Sequence, residues 1–73
     1  MPTYKYIEVS KDDETYNGKP FFIIHNKKSS AILGNVHWFY GWNCYVSEFE
    51  RDCIFSVSCL RDVIDFMENH TKA

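Results

Sequence analysis

The sequence predicts a small α+β domain: an antiparallel sheet of four or five strands with one C-terminal helix packed on it. Two observations carry that expectation. Short alternating or wholly apolar runs are separated by turn signals at Asn17-Gly18, Asn26-Lys27-Lys28-Ser29, Gly41 and Glu50-Arg51-Asp52. A single later stretch, Leu60 to Met67, changes to helical spacing. A lone helix this short is marginal in water, so it must dock on the sheet to persist. With 73 residues the chain is one domain, read as 1–73.

The first strand is expected over about 3–10, where Tyr4, Tyr6 and Glu8 alternate with Lys5, Ile7 and Val9. Lys11 to Thr15 holds no apolar residue and reads as a solvated loop. Asn17-Gly18 tolerates positive φ and suits a tight turn. Pro20 lacks an N–H and can open the second strand, about 20–26, whose apolar run spans Phe21 to His25. A polar hairpin then leads to a third strand at about 30–39, where Gly34 points to a bulge or close backbone contact. Gly41 permits a turn into a fourth strand at about 43–49, and a fifth is expected at about 53–57. The helix, about 59–70, takes Ser58 as its N-cap. Leu60, Val63, Ile64 and Met67 form its apolar stripe, widened by Phe66, with Phe55 and Ile32 as expected partners. Arg61, Asp62, Asp65 and Glu68 occupy the wet side. Asp62 suits the positive end of the helix dipole, and His70 and Lys72 the negative end.

Charge and cysteine content narrow the function classes. Eight basic against ten acidic residues leave a net charge of −2, too little for binding nucleic acid or anionic membrane by bulk electrostatics. No apolar run is long enough to span a membrane, and Met1 to Lys5 carries no signal-type hydrophobic stretch. Cys44, Cys53 and Cys59 are odd in number, which favours a reducing, cytoplasmic setting without disulfides. Together with His25 and His37 they could supply zinc ligands, but no C-x-x-C or H-x-x-x-H unit is present. Neither metal nor cofactor is expected. No catalytic motif stands out, so the reading is non-enzymatic. The acidic groups Asp12-Asp13-Glu14 and Glu48, Glu50 and Asp52 read as solvated, the second as a guard against stray strand pairing.

The candidate site is aromatic. Trp38, Phe39, Tyr40, Trp42 and Tyr45 put five large rings within eight residues, more than so small a core needs. In a strand Trp38 and Tyr40 share a face and Phe39 points to the other. Such rings either complete the core or form a contact surface for a protein, a second copy of the chain, or single-stranded nucleic acid. The last requires a basic groove beside them, for which the near cations in sequence are Lys27, Lys28 and Arg51.

From Asn26 onward the order of short motifs resembles a widespread group of small phage- and prophage-encoded proteins. The resemblance rests on Asn26-Lys27-Lys28-Ser29, Leu33-Gly34, Trp38, Trp42 with Tyr45, Phe55-Ser56, and Cys59-Leu60-Arg61-Asp62-Val63-Ile64-Asp65-Phe66-Met67. Two positions depart from it. An Arg commonly follows the second Trp there, where this chain has Asn43. A Pro commonly follows the Tyr strand, where Ser47-Glu48-Phe49-Glu50 stands here. The resemblance implies a phage accessory protein in the host cytoplasm and supplies no activity. It makes binding of a host protein, as a defence or regulatory factor or an inhibitor, the leading expectation, with homodimerisation open. A single-stranded nucleic-acid module and a purely structural domain are the alternatives.

Overall fold

A computed structural model describes residues 3–16 and 18–71; Asn17 of the expected turn, Lys72 of the expected helix end, and the terminal residues 1, 2 and 73 lie outside them. Four antiparallel strands form one sheet in the order β1-β2-β3-β4, followed by one helix. The strands are β1 Ile7–Tyr16, β2 Lys19–Asn26, β3 Ile32–Phe39 and β4 Cys44–Phe49, and the helix is α1 Val57–His70. The α+β architecture follows the sequence expectation, at the lower strand count.

The turns show why the chain folds back where it does. Gly18 sits at φ 80°, which closes the β1–β2 hairpin where Tyr16 pairs with Lys19. Asn26 builds the next loop through its own side chain. Its Oδ1 accepts from the amides of Lys28 and Ser29 at 2.9 and 3.2 Å. After β3, the Trp42 amide donates to the Phe39 carbonyl at 3.2 Å, and Asn43 completes the turn at φ 54°. Asparagine tolerates that left-handed geometry better than most residues, which gives a backbone reason for Asn43 at this position.

Four expectations are corrected. Lys11 to Thr15 is not a free loop: β1 continues to Tyr16, with an irregularity between Lys11 and Thr15. The tight turn at Gly18 holds the polar segment against β2, and pairing overrides its weak strand propensity. Residues 53–56 form no strand, so β4 is an edge. There the chain packs Phe55 on Phe49, ring centroids 4.6 Å apart, and turns into the helix. Ser56, rather than Ser58, is the N-cap; its Oγ accepts from the Cys59 amide at 3.1 Å. The helix therefore starts earlier and its first turn holds no acidic residue, which leaves Asp62 in the second.

The fourth correction concerns the helix face. Its buried residues are Cys59, Val63 and Phe66, at i, i+4 and i+7. Phe66 is fully buried, edge-on to Phe22 with centroids 5.0 Å apart. Ile7, Val9, Ile24, Leu33 and Val36 complete the core, with Met67 and Phe55 packed at its margin. Leu60, Ile64 and Ile32 are exposed instead. In this rotation Phe66 fills the core, and Asp62 and Asp65, expected on the wet side, hydrogen-bond the N-terminal segment. The Tyr6 amide donates to Asp62 Oδ2 at 3.1 Å, and the Tyr4 hydroxyl donates to Asp65 Oδ2 at 2.7 Å.

That second contact has a pH signature. Burial, then the hydrogen bond and negative charge of Asp65, push the Tyr4 phenol well above its ordinary value of 10.0. The folded state thus holds this proton more tightly than the unfolded chain. The contribution is present below about pH 10 and is lost as pH rises through that value toward the raised one. Denaturant melts of Tyr4→Phe should show lower stability at neutral pH and a shallower alkaline decline than wild type. Some decline remains, since burial also raises the Tyr45 phenol. An alkaline decline as steep as wild type would detach Tyr4 from this linkage.

Candidate functional site

Strand register distributes the aromatic cluster over two sides of the sheet. Residues directly opposed in an antiparallel pair point to one face. Phe22 pairs with Val36 and Trp38 with Tyr45, so Trp38 and Tyr45 share the helix side with the core. Odd-numbered β3 residues Asn35, His37 and Phe39 face the other side, opposite Glu48, Val46 and Cys44. No helix covers that side among the described residues.

On the helix side the rings pack on one another. Trp38 meets Tyr45 edge-on at 5.3 Å and Tyr40 at 6.1 Å. Trp38 and Tyr45 are half-buried, while Tyr40 is exposed. The Lys19 ammonium lies 4.9 Å from the centre of the Trp38 ring, a cation–π contact. The Trp38 indole Nε1 is buried with no hydrogen-bond partner.

On the open side Phe39 and Trp42 stand together, ring centroids 5.3 Å apart and nearly perpendicular. Trp42 is 73% exposed. With Val46, Ser47 and Glu48 the two rings line a cleft of about 220 Å³. Beside it His37 is buried between β2 and β4. Its Nδ1 lies 2.7 Å from Asn35 Oδ1 and its Nε2 lies 3.2 Å from Glu48 Oε1. Phe21 stacks on the imidazole at 5.6 Å. With oxygens at both nitrogens, the ring serves to position Glu48 on the cleft wall and to fix β4 against β3.

The structure thus separates the five expected site residues. Phe39 and Trp42 form an exposed apolar corner, whereas Trp38, Tyr40 and Tyr45 cluster behind it. Val46 and Glu48 complete the corner and were not among the sequence candidates. The alternation of β4 carries their signal, but only the β3–β4 register shows which face they take.

Apart from Lys19 on Trp38, the cations expected beside the cluster sit elsewhere. Lys27 and Lys28 lie in the β2–β3 loop and Arg51 follows β4, all at the end of the sheet opposite Trp42. An eight-residue strand such as β3 separates the two ends by roughly 23 Å at 3.3 Å per residue. Those lysines, with Lys5, rim a separate cavity of about 410 Å³ near the start of α1. The Lys27 ammonium is itself engaged with the Tyr4 carbonyl. The cations expected to flank the aromatic cluster are therefore remote from it.

The three cysteines carry free thiols: Cys44 is exposed, Cys53 half-buried and Cys59 buried. Burial, reinforced by Asp62, pushes the Cys59 thiol up and away from thiolate chemistry. Among the described residues no three His, Cys, Asp or Glu side chains gather in a metal-ligating group. No helix described is long and apolar enough to cross a membrane. Comparison with protein-family models, curated proteins and solved structures gives no match to this chain.

Proposed function

We propose that this chain is a non-enzymatic binding protein, a small phage accessory factor that engages a host protein through the Phe39–Trp42 corner. The observation that carries this reading is Trp42, 73% exposed on the rim of a cleft walled by Phe39, Val46 and Glu48. An exposed Trp loses apolar area to water unless a partner covers it. Tryptophan beside a concave apolar wall is the kind of anchor that dominates protein interfaces. Glu48 adds one carboxylate at the edge, which favours a partner that is apolar at its centre with a cation at its margin. The phage setting and a defence-related or regulatory role rest on the sequence resemblance set out above.

Single-stranded nucleic acid is the weaker reading, because the Lys27, Lys28 and Arg51 cations lie at the far end of the sheet. Affinity capture from host lysate separates the two, with nuclease and salt as controls. A host protein should be recovered by wild type and by Tyr40→Ala, whose ring lies on the opposite side. Folded Trp42→Ala should lose it, with affinity reduced roughly 30-fold, the scale of a 2 kcal/mol hot spot. Capture should survive high salt, since an apolar interface is insensitive to it while phosphate contacts are not. Equal recovery by Trp42→Ala would remove the corner from the site, and loss of capture on nuclease treatment would favour nucleic acid.

A further inference from the structure

The rotation of α1 that corrects the expected stripe leaves an apolar band facing outward. Val57, Leu60 and Ile64, at i, i+3 and i+7, are 64%, 38% and 52% exposed. The band lies on the helix layer and is separate from the Phe39–Trp42 corner on the open side. Arg61 and Glu68 flank it on one side of the helix, three residues before Ile64 and four after. Both are exposed, and neither forms an ion pair among the described residues. They stand two helical turns apart, roughly 10.5 Å at 1.5 Å per residue, too far to pair with each other.

From this arrangement we infer that α1 is a homodimer interface, in which two copies pack their helices antiparallel about a two-fold axis near Ile64. Antiparallel helices related by a two-fold bring the same flank of each helix together. With the axis beside Ile64, Arg61 of one copy meets Glu68 of the second, and the reciprocal pair forms by symmetry. The apolar centre and the charged margin are thus both self-complementary. Asp65, also near this flank, is already engaged by Tyr4 and Asn69, which leaves Glu68 as the acidic partner. The β4 edge offers no equivalent. Glu48 lies on it and Glu50 follows it, so two β4 strands meeting edge to edge concentrate like charge. Burial of the band also supplements a core that a chain of 73 residues keeps small.

Sedimentation equilibrium of the full chain over a wide concentration range tests this surface. Wild type should be a dimer, and so should Trp42→Ala, because the open-side corner is not involved. Ile64→Glu should be monomeric with an unchanged circular dichroism spectrum. Arg61→Glu should weaken the dimer roughly tenfold or more, since symmetry counts the new repulsion twice, and Arg61→Glu with Glu68→Arg should restore it. The charge variants keep the test decisive even if Ile64→Glu does not fold. A wild type that is monomeric throughout would overturn the inference, including the case in which another protein covers the band. So would a dimer that Arg61→Glu leaves intact, or one that Trp42→Ala alone dissolves.

Discussion

Truncation of Phe66 to alanine is expected to remove a large part of the domain's stability. Phe66 is fully buried and meets Phe22 edge-on, so it is the main fastening between helix and sheet. Removing a buried phenylalanine costs about 3–5 kcal/mol through lost burial and the cavity left behind. A chain of 73 residues has roughly 4–11 kcal/mol in all, at about 0.05–0.15 kcal/mol per residue. Thermal melts should therefore show a fall in Tm of about 12–40 °C, at 4–8 °C per kcal/mol for a domain this size. Ile64→Ala is the informative comparison. Its side chain is 52% exposed, so its melt should stay close to wild type at low protein concentration, where association adds nothing. Equal losses in the two variants would mean that the helix presents a different face to the sheet.

That contrast shows where sequence reading reaches its limit. Two stripes run along α1. Leu60, Val63, Ile64 and Met67 fit helical spacing, and Cys59, Val63 and Phe66 fit it too. Hydropathy favours the first, yet the sheet takes the second, which buries Phe66 on Phe22 and leaves Asp62 and Asp65 bonded to the N-terminal segment. Periodicity identifies a helix but does not choose between overlapping faces when the deciding contacts are tertiary. The strands were more legible where a turn carries its own chemistry. The Asn26 side chain caps its loop and Gly41 lies in the next, so β2, β3 and β4 fall near their expected bounds. For β1 the polar run from Lys11 to Thr15 concealed a strand that exists through its pairing with β2. The site was legible to a similar degree. Its aromatic residues and the opposite pointing of Phe39 follow from alternation alone. The cleft wall from Val46 and Glu48, and the distance of Lys27 and Lys28, depend on cross-strand register and topology that no local pattern encodes.

Gly34→Ala is expected to detach β4 from the sheet, the second large effect and the one that ties the fold to the candidate site. A Cβ at position 34 would lie 2.2 Å from the Glu48 carbonyl oxygen and 2.9 Å from the Phe49 Cα. Both are backbone atoms, so no rotamer change relieves the clash. Gly34 also adjoins the irregularity where β2 passes from Ile24 to His25, and Leu33 is the extra residue that the bulge turns into the core. On the β4 side it pairs with Phe49, next to the hydrogen bond from the Glu50 amide to the Leu33 carbonyl at 2.7 Å. The strand best able to move is β4, because it is an edge with one neighbour. Overpacking of this kind costs about 1–3 kcal/mol. Hydrogen exchange should locate the damage, with β4 amides losing protection while β2 amides keep more of theirs. Displacing β4 also removes Val46 and Glu48 from the cleft and parts Glu48 from His37. Gly34→Ala should accordingly lose partner capture with Trp42 itself unaltered. Wild-type protection in β4 together with wild-type capture would show that the sheet absorbs the methyl group elsewhere and that the close approach at Gly34 does not hold the corner in place.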